Sequence, residues 1–238
     1  MTLERLSENI WFLPFEKRGD RPNLYYIKGE DFSISVDAGN SQRHVQKFYD
    51  ALKEMDFPAP RYTVISHWHW DHTFGLKYIP SISIASMNCH RNLQKVSKWE
   101  WTKEKMAERE RSKEDIPFCN ENILLEYADL KEISVALPQI LLPKDLTLDL
   151  GGVKAEILQR ASTHSDDALY VYVKQDKALI VEDADCEDFY HDGIYDQGVL
   201  KEMISFFEKT DYEYHCLGHA AAERKEEALN RLRGELHG

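Results

Sequence analysis

The strongest signal in this 238-residue chain is the stretch Ser66-His67-Trp68-His69-Trp70-Asp71-His72. It gathers three imidazoles and a carboxylate, and it directly follows the apolar residues 62–65, which have the composition of a strand. Side chains two residues apart on an extended chain point the same way, so His67 and His69 can bind one ion. The turn at Asp71-His72 can direct its ligands at a second ion. The stretch therefore predicts a metal site in a loop at the end of a strand.

Short apolar runs alternate with turn signals on both sides of this stretch. They predict strands at residues 10–15, 24–27, 32–36, 62–65, 82–85, 146–150, 153–158, 169–173, 178–181 and 212–217. Helical spacing predicts a helix that is capped by Ser41 and ends before Pro58, and two more at residues 200–207 and 220–236. Two β-rich halves of similar rhythm indicate two packed sheets covered by helices, in one α/β domain over residues 1–238.

A highly charged segment interrupts this rhythm, and we interpret residues 88–142 as a helical insertion. A long helix is predicted over residues 88–115 and a second helix over residues 121–130. Because the segment begins shortly after the histidine-rich loop, we expect it to form a cap at the mouth of the metal site. Trp99, Trp101 and Met106 are candidates for apolar pocket walls. They could equally pin the cap to the domain or form a homodimer contact.

Composition restricts the partners of the chain. A formal net charge of -12 disfavours nucleic acid and anionic membranes, which leaves a small-molecule substrate as the expected partner. No stretch approaches the roughly 18 apolar residues of a membrane span. The four cysteines show no CxxC spacing, and the N-terminus lacks the pattern of a signal peptide, so we expect a reduced, cytoplasmic protein.

The HxHxDH pattern after a strand resembles the signature of the metallo-β-lactamase superfamily. The resemblance covers nearly the whole chain and implies a four-layer αββα sandwich. Val36-Asp37-Ala38-Gly39 is similar to the aspartate-glycine turn of that family, and Asn23-Leu24-Tyr25 resembles its early strand with an asparagine. Asp37 is either an ordinary turn residue or a residue that orients a metal ligand.

The family pattern next requires a histidine between two strands, and His164 occupies that place. Ser165-Asp166-Asp167 follows it where family members often have Gly and Pro, so the loop is expected to differ in shape or charge. The carboxylate that bridges the two metals normally ends an apolar strand in a Gly-Asp pair. Asp183 fits this position, with Glu182 in place of the glycine, while Asp185 and Cys186 are nearby competitors.

The last family ligand is a histidine in a Gly-His pair after the terminal strand, and His219 matches it. His215 lies within that strand and is interpreted as a packed histidine or one that orients a ligand. The remaining histidines lack a comparable context and are expected to have no part in the site: His44, His90, His191 and His237.

Carried over residue by residue, the resemblance implies two divalent metal ions. His67, His69 and His164 would hold one ion, Asp71, His72 and His219 the other, and Asp183 would lie between them. Imidazole and carboxylate suit Zn²⁺, and Mn or Fe accepts similar ligands. A hydroxide shared by the ions would be the nucleophile, and Asp71 could orient the attacking water or shuttle its proton. The expected substrate is a small ester, lactone, amide or phosphodiester.

Subfamilies and rival functions leave alternatives open. Glyoxalase II enzymes carry a helical domain after the last ligand, whereas only a short helix can follow His219, so this thioesterase activity is not expected. RNA-processing members would need a basic surface, and this chain is acidic. Acyl-homoserine lactonases usually place a Tyr where this chain has Cys186, and Tyr190 is a weak substitute. Flavodiiron proteins replace the second histidine with Glu, which His69 argues against. An iron persulfide dioxygenase, using the equivalents of His67, His164 and Asp183, and a noncatalytic metal-binding module stay open.

Overall fold

The computed structural model describes residues 2–191 and 193–236. The first half of the chain builds a seven-stranded sheet whose strands follow the chain order: β1 (Glu4–Arg5), β2 (Ile10–Leu13), β3 (Leu24–Lys28), β4 (Ser33–Val36), β5 (Tyr62–Val64), β6 (Ile82–Ser86) and β7 (Ile140–Leu142). β1 to β4 pair antiparallel, and β4 to β7 pair parallel. The parallel strands end at one edge of the sheet, and the histidine-rich loop leaves β5 at that edge.

The second half builds a six-stranded sheet. Its strands are β8 (Leu146–Asp149), β9 (Lys154–Gln159), β10 (Leu169–Val173), β11 (Ala178–Glu182), β12 (Tyr214–Leu217) and β13 (Glu223–Arg224), and they lie in the order β13-β12-β11-β10-β9-β8. Only β11 and β12 pair parallel, so a crossover must connect them. The parallel pair brings the ends of β11 and β12 together at one edge.

Seven helices connect and cover the strands: α1 (Gln42–Glu54), α2 (Trp70–Thr73), α3 (Met87–Val96), α4 (Lys103–Arg111), α5 (Pro117–Glu126), α6 (Gln197–Lys209) and α7 (Lys225–Glu235). α1 packs its buried Phe48 and Leu52 against the outer face of the first sheet, and α6 packs Phe207 on the second. Between the sheets lies a core of fully buried aliphatic side chains such as Ile34 and Ile157. The predicted αββα sandwich is confirmed. None of the described helices combines the length and apolar character that crossing a bilayer requires.

The segment after β6 differs from the predicted helices. The long helix expected over residues 88–115 is two helices, α3 and α4, because the chain turns between them and Thr102 starts α4 by accepting a hydrogen bond from the Lys105 backbone. The turn is stabilised by Arg109, whose guanidinium carbon lies 4.4 Å from the ring centre of Trp99 and 4.8 Å from that of Trp101. The stretch at 140–142 is not helical but forms β7, because it completes the edge of the first sheet.

Two other helices begin at different residues from those predicted. The helix expected at residues 121–130 is α5, which starts earlier, at Pro117, because proline is favoured at the first helical position. The closing helix expected from residue 220 begins at Lys225, since residues 223–224 pair with β12 as β13. Residue 237, the histidine at the end of that stretch, lies outside the described residues.

Two hairpin turns join the sheets. The backbone N–H groups of Glu30 and Asp31, after β3, donate to the carbonyl oxygens of Gly151 and Leu150, at distances of 3.0 and 2.9 Å. Gly29 makes this approach feasible, because a Cβ atom there would lie 2.1 Å from the Leu150 carbonyl oxygen. The turn therefore requires a residue without a side chain.

We predict that Gly29→Ala lowers the free energy of unfolding by about 2 kcal/mol or more, since the new methyl group would collide with backbone rather than with a movable side chain. Gly234→Ala is the matched control, because nothing lies within 4 Å of a Cβ at that position in α7. It should raise stability by up to about 0.5 kcal/mol. Urea unfolding measures both, and equal changes would contradict the close approach of the two turns.

Candidate metal centre

The histidine-rich loop changes conformation in the middle, and this divides its ligands. The chain runs extended beyond β5 through His67 and His69 and then forms the single helical turn α2, which carries Asp71 and His72. The Thr73 hydroxyl donates to the His69 carbonyl oxygen at 2.8 Å and fixes the start of that turn. The loop thus presents two histidines in one direction and an Asp-His pair in another, as the sequence predicts.

A first set of ligand atoms comes from His67, His69 and His164, and these atoms lie within 4.8 Å of one another. Nδ1 of His69 and Nε2 of His164 are 2.9 Å apart. Nε2 of His67 is buried without a hydrogen-bond partner among the described residues. Burial, with neighbouring imidazoles, holds the pKa of His67 and of His69 well below the usual range, so both rings are neutral. Three converging imidazoles, one of them with an orphaned nitrogen, fit a zinc-class ion.

A second set comes from Asp71, His72, Asp183 and His219. Nε2 of His72 lies 2.9 Å from Asp183 Oδ2, and Nε2 of His219 lies 2.9 Å from Asp71 Oδ2. Burial alone would lower the pKa of both histidines, but the two carboxylates reverse this and raise it well above the usual range. Protons there balance the carboxylates, and a bound divalent cation would replace them.

All seven predicted ligands therefore meet in two adjacent sets, although their role as ligands stays a prediction. Asp183 belongs by distance to the second set, and its bridging of the two sets also stays a prediction. Its competitors lie differently. Asp185 accepts hydrogen bonds from His215 Nε2 and Arg231, each at 2.7 Å. Burial raises the pKa of the Cys186 thiol well above its usual range, so the thiol keeps its proton.

The other histidines among residues 2–191 and 193–236 lie outside both sets. His215 is fully buried between Asp185 and the Tyr212 hydroxyl, as expected for a packed histidine. His44 is buried in α1, and burial lowers its pKa well below the usual range. His191 contacts Asp188 at the surface.

Asp37 orients the second set from behind. Its carboxylate accepts hydrogen bonds from the Ser66 backbone, the Ser66 hydroxyl and Nδ1 of His72, each at 2.7 Å. The residue also adopts a left-handed backbone, with φ of 63°. Of the two interpretations of Asp37, the structure therefore supports both a turn role and contact with a candidate ligand. By holding the proton on Nδ1, the carboxylate turns Nε2 of His72 toward the second set.

His219 is positioned by residues far away in the chain. The Asn23 side-chain amide donates to the carbonyl oxygens of Leu217 and Ala220, at 2.7 and 2.8 Å, and fixes the backbone around the histidine. Nδ1 of His219 lies 3.3 Å from a carboxylate oxygen of Asp20. Asp20 was not predicted as a site residue. The turn signal Gly19-Asp20 is too common to have identified it.

Glu182 stands where the family pattern has glycine, and its backbone is left-handed with φ of 53°. Its side chain is 1% exposed, and both carboxylate oxygens lack a hydrogen-bond partner among the described residues. It is close to Asp37 and His72, but Asp37 already accepts three hydrogen bonds. In this third grouping Glu182 alone offers unpartnered ligand atoms, since Asp37 and His72 are already hydrogen-bonded to each other.

The loop after His164 lacks the Gly and Pro of the family pattern, and hydrogen bonds to the start of α3 hold it in place instead. The Ser86 hydroxyl donates to the Asp167 carbonyl oxygen at 2.9 Å, and the Asn88 amide donates to that of Asp166 at 3.0 Å. The Asp167 side chain points inward, and burial raises its pKa to about 7. The loop places Nδ1 of His164 at 2.9 Å from the Glu187 carbonyl oxygen, so that Nε2 faces His69.

A pocket of about 330 Å³ opens above the two sets. Its floor is formed by His69, Asp71, His164, Asp183 and His219, with Asp20 beside them. Its other walls are Ile116, Phe118, Cys119, Cys186, Phe189 and Tyr190.

The cap does contribute to this pocket, and of the alternatives for Trp99, Trp101 and Met106 the structure supports packing that pins the cap to the domain. Trp99, Trp101 and Met106 do not line the pocket, because they pack into a separate cluster with Trp70 and Phe74. The Tyr190 hydroxyl donates a hydrogen bond to a carboxylate oxygen of Asp115 at 3.3 Å. This contact joins the cap to the pocket wall.

The chain resembles known proteins in its sequence pattern and in its fold. The model of the metallo-β-lactamase superfamily matches residues 18–219. A comparison with curated proteins finds no match. The fold is similar to that of a metallo-β-lactamase from Pontibacter korlensis, with a TM-score of 0.70 and 13% identity over 99% of this chain and 98% of that one.

Two further solved structures share the fold. The DIM-1 metallo-β-lactamase gives a TM-score of 0.64 at 14% identity, over 99% of this chain and 96% of that one. The sec-alkylsulfatase Pisa1 from Pseudomonas sp. gives a TM-score of 0.67 at 15% identity, and this chain, 99% covered, spans 41% of it. At such identities the likeness concerns the fold alone.

We predict that Asp37→Asn weakens zinc binding by about 10-fold to 100-fold, because the amide cannot hold the Nδ1 proton of His72 as the carboxylate does. Asp56→Asn is the matched control, since this exposed aspartate has a similar left-handed φ of 54° and lies outside both ligand sets. A titration against a competing chelator measures both affinities. Unchanged affinity in Asp37→Asn would show that the contact with His72 does not support the site.

We predict that Asp167→Asn is more stable than the parent protein at pH 8, by on the order of 1 kcal/mol, and that this advantage shrinks toward pH 4. The pKa of Asp167 is raised from 3.8 to about 7 in the folded chain, so ionisation favours the unfolded chain as the pH rises between these values.

Asp50→Asn, at an exposed position on α1, is the control for the Asp167 variant, because Asp50 does not contribute to the raised pKa of Asp167. Urea unfolding at several pH values gives the comparison. An advantage of Asp167→Asn that is constant with pH would contradict the raised pKa.

Proposed function

The chain belongs to the metallo-β-lactamase superfamily, whose model matches residues 18–219, and we propose that it is a hydrolase dependent on two metal ions. The observation that carries this proposal is the pair of ligand sets at the floor of one pocket. The likeness to proteins named as a β-lactamase and an alkylsulfatase supports hydrolysis as the reaction class. The substrate would be a small ester, lactone, amide or phosphodiester.

The ligand chemistry supports zinc-class ions. Imidazoles in the first set and a mixed imidazole and carboxylate group in the second suit Zn²⁺, with Mn or Fe as alternatives. When bound, the two ions would lower the pKa of a shared water toward about 7 and polarise the oxygen of the scissile group.

The residues of the chain supply positioning and proton transfer. Asp71 lines the pocket beside His219 and is our candidate to orient the attacking water and accept its proton. Burial would raise the pKa of Asp71, but His72 and His219 hold it well below its usual range, so the carboxylate is ionised and able to accept a hydrogen bond. Asp37 and the Glu187 carbonyl oxygen keep His72 and His164 in their orientations.

A mononuclear iron oxygenase would need only part of this arrangement. Asp71, His72 and His219 form a full second set that such an enzyme leaves without a function, and this favours two ions over one. A noncatalytic metal-binding module is disfavoured by the open pocket above the ligands.

We predict that Asp71→Ala and His69→Ala lower kcat/KM by at least about 100-fold, because each removes a group from the floor of the pocket. The assay is a panel of esters, lactones, amides and phosphodiesters with zinc-loaded protein. The controls are Asp50→Ala, an exposed position on α1, and His90→Ala on α3, both outside the ligand sets.

Circular dichroism would verify that all four variants fold, since the core between the sheets is remote from the loop. Turnover that survives in Asp71→Ala and His69→Ala at the level of the controls would contradict the proposed site. The absence of hydrolysis of every substrate by the metal-loaded parent protein would contradict the proposed reaction class.

A further inference from the structure

The pocket rises from its polar floor between apolar walls. Ile116 and Phe118 come from the start of α5, and Phe189 comes from the loop that follows the end of β11. Phe118 and Phe189 are 53% and 45% exposed, although both side chains are large and apolar. Scattered exposed apolar residues are ordinary, but two phenyl rings lining one pocket provide an apolar binding surface.

This apolar surface begins directly at the ligands. The ring centres of Phe189 and His164 are 5.6 Å apart, and the rings are nearly perpendicular at 87°. The cap side of the pocket is held in place by Tyr190, whose hydroxyl contacts Asp115 at 3.3 Å and Cys119 at 3.6 Å. A carbon chain that leads away from a reacting group at the floor therefore meets a preformed apolar wall at once.

The charges around the pocket complement this shape. No Lys or Arg is among the described residues that line it. Asp20 lines it next to the second ligand set, with a side chain that is 15% exposed. A substrate with an anionic group away from the reacting bond would find no cationic side chain among these lining residues, and it would approach the carboxyl group of Asp20.

We propose that the substrate is an uncharged ester or lactone with an apolar acyl chain, which lies between Phe118 and Phe189 while its carbonyl group reaches the ligand sets. This inference rests on the proposed hydrolase function. The oxygen of water bonds to the acyl carbon, the bond from that carbon to the ester oxygen breaks, and the leaving oxygen takes a proton. One water is consumed, and a carboxylic acid and an alcohol are formed, or a hydroxy acid from a lactone.

Sulfate esters and β-lactam antibiotics match this pocket less well than an uncharged ester does. Both carry a negative charge that a cationic side chain would complement, and such a side chain is missing among the described lining residues. Amides and phosphodiesters are less well matched for different reasons. An amide offers a poorer leaving group, and a phosphodiester is itself anionic.

The test uses zinc-loaded protein and p-nitrophenyl acetate, butyrate and hexanoate. Each methylene buried on the apolar wall should raise kcat/KM about twofold to fourfold. Phe118→Ala and Phe189→Ala should reduce this dependence on chain length. Phe15→Ala is the matched control, because Phe15 is 38% exposed but does not line the pocket, and it should keep the dependence of the parent protein.

Binding provides a readout that does not depend on turnover. Calorimetry with 1-hexanol and hexyl sulfate compares the same chain with and without a negative charge. We expect hexanol to bind more tightly than hexyl sulfate, and to bind at least about threefold more weakly to Phe118→Ala and Phe189→Ala than to Phe15→Ala.

The outcomes separate the two proposals. Hydrolysis that is independent of chain length, or that favours anionic substrates, would overturn the apolar substrate and leave the hydrolase intact. Tighter binding of hexyl sulfate, or hexanol binding that is equal in all three phenylalanine variants, would overturn it as well. If no ester or lactone is hydrolysed, the proposed substrate is overturned even where hexanol binds as expected, whereas hydrolysis of an amide or a phosphodiester would keep the hydrolase.

Discussion

Seven ligand-type side chains meet in a buried space at the edges of two sheets, and their mutual repulsion and desolvation must be balanced for the structure to persist. Within the chain itself, protons on His72 and His219 balance Asp71 and Asp183. A divalent cation would balance the same carboxylates more directly, and a second cation in the other set would use the free nitrogen of His67. We propose that cation binding is the interaction on which the geometry of the floor, and hence the pocket above it, depends.

The sandwich brings segments that are far apart in the sequence to one edge of the two sheets. Parallel pairing of β5 with its neighbours places the histidine-rich loop there, and parallel pairing of β11 with β12 places Asp183 and His219 beside it. Residues such as Asn23 and Asp37 then fix the backbone and ring orientations. The apolar walls of the pocket come from outside this frame, from α5 and from the loop that carries Phe189.

Much of the fold and all seven candidate ligands could be predicted, because their signals are local. Ligands at strand ends follow apolar runs in the sequence, as Asp183 follows β11. The strand β7 and the pocket contacts of Asp20 and Phe189 depend on partners far along the chain. The role of Trp99 and Trp101 could not be predicted from the sequence, since their spacing does not distinguish a pocket wall from packing around Arg109.

The number of metal ions bound per chain is the direct test of whether the seven candidate ligands hold two ions. Metal-free protein would be loaded with zinc, passed through a desalting column and analysed by mass spectrometry for metal and protein together. The account predicts about two ions per chain, and about one after His219→Ala, which removes a ligand from the second set only. A parent protein that retains no zinc, and takes up neither manganese nor iron, would contradict the claim that these seven residues form a metal centre.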